Sequence, residues 1–288
     1  MIDSLWLPGT PPFPEVLAVD AEPPEQLWAR GDPAALEPRR VAIIGTRRCT
    51  AYGRNFARRL GADLTAAGIG VVSGLALGID GAAHEGVLDA AGRPIGVVAT
   101  GLDVVYPRRH TALWHRLARD GLLLTEQPPG TSPHPQLFPK RNRIIAALAE
   151  IVIVVESAVK GGSMHTVNAA MARGIDVMAV PGPVGSPASE GTNRLLVDGV
   201  APVLSADEVV LALGLQTAPR LVEVPAQRAP HLSAAARTVL DVLDFVPMPT
   251  DRVIAEAGLR RGETIVALQA LAAGGRATGG GGWWARSP

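Results

Sequence analysis

VAIIGTRRCTAYGRNFARRLGADLTAAGIGVVSG, residues 41–74, decides the fold. Its ends, VAIIG (41–45) and IGVVSG (69–74), are apolar runs too short for helices and rich in β-branched residues, as strands buried on both faces should be. Between them Phe56, Leu60 and Leu64 recur at i, i+4, i+8, with Arg54, Arg58 and Arg59 on other faces and Gly68 placed as a C-terminal cap. The unit reads as strand, amphipathic helix, strand, which requires a parallel pair with a crossover helix.

The same text continues downstream. PIGVVATG (94–101), GLLLTE (121–126), IVIVVE (151–156) and DVMAVPG (176–182) read as further strands. Helical patterns fall at 82–91, 111–119, 141–149, 164–173 and 205–213. Strand–helix alternation every 25–30 residues or so predicts an α/β fold with a doubly wound parallel sheet over 41–214. Residues 1–40, with PPFPEVL and EPPEQLWARGD, show no period and read as an N-terminal extended arm laid over that core. Residues 215–231 are polar and Pro-containing and read as a linker. Beyond it, helical patterns at 233–243, 250–257 and 263–273 precede GGRATGGGGWWARSP, so residues 232–288 are expected to form a small C-terminal winged-helix domain.

The 288 residues carry 27 basic and 27 acidic side chains, which excludes a generally polybasic binder but leaves local patches open. Only Lys140 and Lys160 among the basic residues are lysine; the rest are arginine, which suits planar, bidentate phosphate recognition. The single cysteine, Cys49, permits no internal disulfide and no multi-Cys zinc site, and fits a reducing cytoplasm. The N-terminus lacks a signal-peptide pattern, and the longest apolar stretch, 144–155, is interrupted by Glu150 and too short to span a membrane, so no membrane partner is expected.

In a parallel sheet, ligands bind beyond the carboxyl ends of strands, so the residues after each strand carry the function. Gly45, Thr46 and Arg47 follow the first; Ser73, Gly74, Gly78 and Asp80 follow the second, with His84 one turn on. Phe138, Lys140, Arg141, Asn142 and Arg143 follow the fourth; Gly162, Ser163 and Thr166 follow the fifth. Glycines, hydroxyls and guanidinium groups converging on one sheet edge make a surface for phosphate. Phe138 reads as a base-stacking platform or, equally, as a loop anchor. GTRRCTAYG is not a dinucleotide fingerprint, GGSMHT lacks the Walker lysine, and no nucleophile elbow or metal-ligand spacing occurs, so no cofactor, metal or catalytic residue is expected.

These motifs resemble the DNA-processing protein A (DprA, also Smf) family. The resemblance rests on VAIIGTR…YG, SGLALGIDGAAHEG, FPKRNRIIAALA, KGGSMHTVNAA and VPG…SEGTNRLLVDGV, and covers residues 10–214 or so. It implies a Rossmann-like, non-enzymatic protein that binds single-stranded DNA, forms a homodimer and helps load RecA recombinase in natural transformation. By motif it implies that Arg47 grips the backbone, that the residues named above after the second and fourth strands supply further contacts, and that Gly162, Ser163 and Thr166 offer a helix N-terminus to phosphate. Two positions depart from the family pattern: Leu77 stands where an arginine is usual, and Gly161 replaces the first serine of the motif ending at Thr166. KGGSMHT is also similar to the phosphate turn of LOG-type phosphoribohydrolases, the competing reading, but the glutamate that follows that turn in those enzymes has no counterpart at Val167 or Asn168. A transcription factor is the third reading, and the 263–273 helix offers it no Arg or Lys.

Overall fold

In the computed structural model, residues 3–215 and 232–287 are described. They divide into two compact units, with the boundary between residues 218 and 219. All but the first residue of the stretch expected as a linker lies outside the described residues.

The first unit runs β1 (Ser4–Trp6), α1 (Glu15–Ala18), β2 (Leu27–Gly31), β3 (Arg40–Ile44), α2 (Ala51–Ala66), β4 (Gly70–Ser73), α3 (Ile79–Asp89) and β5 (Ile95–Val97). It continues with α4 (Thr111–Asp120), β6 (Leu122–Thr125), α5 (Leu137–Ala147), β7 (Ile151–Val154), α6 (Met164–Met171), β8 (Asp176–Ala179), α7 (Glu190–Val197), β9 (Ala201–Pro202) and α8 (Ala206–Ala212). One nine-stranded sheet has the order β1-β2-β6-β5-β4-β3-β7-β8-β9. The strands from β6 to β9 pair in parallel. The chain winds outward from β3 to β6, then returns to the other side of β3 at β7, which makes β3/β7 the switch point of a Rossmann-like α/β fold.

Alternate side chains of β3 feed two cores, because successive residues of a strand point to opposite faces. Ala42 and Ile44 pack with Ile144, Ile145 and Val167 from α5 and α6; Val41 and Ile43 pack with Phe56, Leu60 and Leu64 from α2 and with Val209 from α8. Thr50 caps α2 by accepting from the Gly53 N–H at 3.1 Å, while its own N–H donates to the buried Glu156 carboxylate at 2.8 Å, tying the start of α2 to the end of β7.

The N-terminal residues correct the sequence expectation. They are not an arm over the core but an extension of the sheet: β2 pairs antiparallel with β6, and β1 with β2. Leu27 and Ala29 point into the core while Trp28 and Arg30 are half-buried, so the strand alternates as a sheet edge requires. Farther along, Asp20 pairs with Arg173 at 2.7 Å, both side chains nearly buried.

The second unit consists of α9 (Ala234–Val242), β10 (Met248–Pro249), α10 (Thr250–Ala257), α11 (Arg261–Ala273), β11 (Ala277–Gly280) and β12 (Trp283–Arg286). Its three-stranded antiparallel sheet has the order β10-β12-β11, and Val239, Val253, Leu268 and Leu271 form its core. α11 starts two residues earlier than the sequence pattern placed it, so Arg261 lies on that helix.

Candidate nucleic-acid interface

A cleft of about 620 Å³ opens at the switch point, lined by Gly45, Thr46 and Arg47 after β3, by Asp80, by Phe138, Arg141 and Asn142 of α5, and by Gly162, Ser163 and Thr166 after β7. The sequence-derived loops therefore do converge, and they do so between the two strands where the winding reverses.

At the mouth, the Arg47 guanidinium carbon lies 4.9 Å from the centroid of the Phe138 ring, and the Tyr106 ring lies 5.7 Å from it at 48°. Phe138 thus has a cation and a second, tilted aromatic ring against it while remaining partly exposed. Arg47 is exposed and, among the described residues, has no carboxylate partner.

Two glycines bring the loop after β4 up to its neighbours. Gly78 has φ of +84° and abuts the Thr46 carbonyl, a conformation and an approach that a side chain would block. A Cβ on Gly74 would lie 2.6 Å from the Arg141 guanidinium. That contact shows what Arg141 does. Its side chain is buried, donating to the Gly74 carbonyl at 2.6 Å and to the Val97 carbonyl, with its Nε donating to the Asn142 side-chain oxygen at 3.2 Å. Burial pulls the Arg141 pKa down to about 10, against the pull of Asp80 and with that of Arg47.

Four residues taken as DNA contacts from the sequence are corrected here. The helix expected at 141–149 begins already at Leu137, so residues 138–143 lie in the first turns of α5, and consecutive residues of a helix cannot all face one ligand. Lys140 points to solvent; Arg141 goes inward as a brace between β4 and β5. Arg143 goes sideways, to the carboxylates of Glu126 and Glu22 and to the Glu22 carbonyl at 2.7 Å. Ser73 is fully buried and donates to the Ile43 carbonyl at 2.5 Å, so its hydroxyl is not available at the surface. Asp80 is buried and accepts from the Gly74 N–H at 3.1 Å; burial pushes its carboxyl above the usual range while Arg141 and backbone donors oppose that. It organises the cleft floor rather than touching a phosphate.

On the β7 side, the Ser163 hydroxyl donates to the Ser157 hydroxyl at 2.8 Å and Thr166 is buried, so their side chains shape the turn. Gly162 lies open, with nothing within 4 Å of where its Cβ would be, and leaves room for a ligand to reach the backbone. His165, in the turn after β7, and Tyr106, to which the sequence assigned no site role, also line the cleft. The signal for Tyr106 was the loop after the third strand; it was passed over because it lies nine residues beyond that strand's last paired position. Leu77, the departure from family pattern, sits with Val98, Thr100 and Pro107 in a recess of about 40 Å³ beside the aromatic pair. Among the described residues no three His, Cys, Asp or Glu side chains converge as metal ligands, and no helix is long and apolar enough to cross a membrane.

The model of the DNA recombination-mediator protein A family matches residues 4–214. The chain belongs to that family. It is 47% identical over 194 residues to the DprA of Mycobacterium tuberculosis, a match covering 66% of this chain and 50% of that protein. It is 41% identical over 189 residues to the DNA processing protein DprA of Bacillus subtilis, covering 65% and 64%. The chain thus spans about half to two thirds of the length of these DprA relatives. Among solved structures, Streptococcus pneumoniae DprA superposes with a TM-score of 0.69 at 36% identity, covering 73% of each chain. A structure of Helicobacter pylori DprA, determined to explain how that protein binds single-stranded DNA, superposes with a TM-score of 0.66 at 31% identity, covering 73% of this chain and 95% of that one. The match of the family model ends in the sheet unit and does not include the second unit.

Proposed function

We propose that this protein is a non-enzymatic, single-stranded-DNA-binding recombination mediator whose cleft at the β3/β7 switch point grips the DNA backbone and stacks a base on Phe138. One observation carries the reading: the Arg47–Phe138–Tyr106 cluster at the mouth of the cleft, where Arg47 and the neighbouring Lys140 and Lys160 are exposed and have no acid partner among the described residues. Stacking on an aromatic face tolerates any base, and guanidinium and backbone N–H groups hold phosphates without reading sequence, which is the chemistry of single-strand binding. Arg47, Lys140 and the backbone at Gly162 are the contacts; Gly45, Thr46, Gly74, Gly78, Asp80 and Arg141 position them, with the Thr46 N–H donating to the Glu156 carbonyl at 2.7 Å. Helicobacter pylori DprA, whose single-stranded DNA binding has been described structurally, supports the same ligand class here.

The loading of RecA recombinase onto incoming DNA in natural transformation is the role we assign to the bound complex, on the strength of family membership. A homodimer is part of the proposal: Val197, Leu204 and Leu211, on or beside α7 and α8, are apolar and well exposed at the far edge of the sheet unit. The second unit, which we read as a winged helix, is assigned a protein contact.

The test is a gel-shift titration with oligo-dT against a duplex of equal length. Preference for oligo-dT supports the reading, and equal or tighter duplex binding overturns it. Release of base from nucleoside monophosphates would instead favour a LOG-like hydrolase, for which the Gly161–Ser163 turn is the one supporting feature.

A further inference from the structure

Several exposed cations without a carboxylate partner lie at one edge of the sheet unit, although Arg54 and Arg59 of α2 are also unpaired and Arg143, near that edge, is paired. Toward the edge where the parallel strands begin, Arg39 pairs with Glu150, Arg93 with Asp32, Arg116 with Asp89 and Arg119 with Asp120. On the opposite edge, where the strands end, Arg47, Arg48, Lys140, Lys160, Arg108 and Arg109 pair with no carboxylate among the described residues, and all are exposed. The cleft accounts for Arg47, and Lys140 and Lys160 border it. Arg108 and Arg109 lie outside its lining and are unexplained by it.

These two arginines occupy a single 3-10 turn, Arg108–His110, between Tyr106-Pro107 and α4. The turn is pinned rather than loose. The His110 Nδ1 lies 3.1 Å from the Leu75 carbonyl, the His110 ring packs on Gly81, and the Thr111 hydroxyl donates to the Arg108 carbonyl at 2.6 Å. Two residues upstream, Tyr106 is part of the aromatic stack on Phe138. The turn belongs to the loop after β5 and is anchored through His110 to the loop after β4, so it lies next to Tyr106 on the side of β3 away from β7. Two guanidinium groups are therefore held unpaired beside the stack, on the side opposite Lys160.

We propose that Arg108 and Arg109 form a second phosphate contact, outside the cleft, which engages the nucleotides of a single strand as it leaves the Tyr106–Phe138 stack. This rests on the single-stranded-DNA reading and extends it. The strand crosses the sheet edge from the Lys160 side, through the cleft, to the 3-10 turn. Affinity then depends on strand length: a ligand confined to the cleft cannot reach the turn.

The test compares the protein with its Arg108→Gln/Arg109→Gln variant on oligo-dT of about 3 and about 20 nucleotides, which bracket the typical single-strand site sizes of about 4–16. Both residues are exposed and carry only backbone roles in the turn, so a melt at the wild-type temperature is expected. The variant should bind the short oligonucleotide like wild type and the long one at least about tenfold more weakly, with a logarithmic salt slope smaller by about 1.4 for two lost contacts. An unchanged affinity for the long strand overturns the proposal, and so does an equal loss on both lengths, which would place the arginines inside the cleft site. Wild-type protein that binds neither oligonucleotide overturns the underlying single-strand reading instead, and the two failures are told apart because that one is seen before any substitution. If the Gln pair lowers the melt, Arg108→Lys/Arg109→Lys keeps the charges and must restore both the long-strand affinity and the slope.

Discussion

Replacing Arg47 by alanine separates binding from folding most cleanly. The side chain follows β3 at the cleft mouth, is exposed, has no carboxylate partner among the described residues, and touches the fold mainly through the Phe138 ring 4.9 Å away. A cation–π contact at an exposed site is worth about 0.5–1 kcal/mol, and part of that is regained by solvation of the freed loop. In a unit of this size a loss of that order moves the melting temperature by about 2–4 °C at most. The binding loss is larger. One hydrogen bond from a charged donor contributes about 1.5–3 kcal/mol, and at 1.4 kcal/mol per decade this is a factor of about 10 to 150 in Kd. Each released counterion also removes about 0.7 from the logarithmic salt slope for single strands. Arg47→Lys keeps the charge but not the fork or the stacking, so it should retain the wild-type slope with intermediate affinity. The assay is fluorescence anisotropy of labelled oligo-dT at four salt concentrations beside a melt of the same sample. Unchanged affinity and slope with an unchanged melt would remove Arg47 from the interface, and a collapsed melt would make it structural.

Phe138→Ala should weaken oligo-dT binding by about 1–3 kcal/mol with little change in salt slope, because stacking releases no counterion; the same anisotropy series checks both. Arg141→Met should lower stability by about 3–5 kcal/mol, since it strips donors from the Gly74 and Val97 carbonyls and leaves Asp80 buried without its nearby cation; urea denaturation measures it, and a stable variant would refute the brace. His84 is fully buried, neither ring nitrogen makes a well-formed hydrogen bond among the described residues, and burial, with lesser help from His110 and Arg141 and against a weaker backbone contact at Ser73, pulls its pKa from 6.5 to about 3. The unfolded chain therefore takes up a proton that the folded one refuses, so stability is full above pH 6.5 and falls by about 1.4 kcal/mol per unit from there toward pH 3; His84→Leu should flatten that part of the urea-stability curve. Truncation after Leu215 should leave oligo-dT affinity within about threefold of the full chain, because every cleft residue lies upstream; loss beyond about tenfold would make the second unit a DNA-binding element.

The parallel strands were legible because a strand buried on both faces is an unbroken β-branched run, and 41–45, 69–74 and 151–156 say so in a few residues each. The edges were not. β1 and β2 are short, lie among prolines and are buried on one face only, while β9 is two residues long. α5 starts four residues before the 141–149 pattern, and Pro139 falls in its first turn, where the missing N–H would have had no partner. That earlier start bears on the site: residues 138–143 cannot all aim at DNA, because the helix sends Lys140 outward, Arg141 into the core and Arg143 to Glu126. Arginine is among the residues least often buried, so nothing in the sequence marked Arg141 as a brace. The convergence of the β3 and β7 turns, by contrast, followed from topology alone, because a doubly wound sheet brings together the loops on either side of its reversal.

The central claim is that single-stranded DNA lies across the ends of the parallel strands, and amide hydrogen exchange with and without oligo-dT tests it most directly. A strand lying there slows exchange on binding in 45–50, 106–110, 137–142 and 160–166 and leaves the α9–α11 region unchanged. Protection confined to residues 232–287, or none in the four loop and helix-start segments while the oligonucleotide is bound, would contradict it.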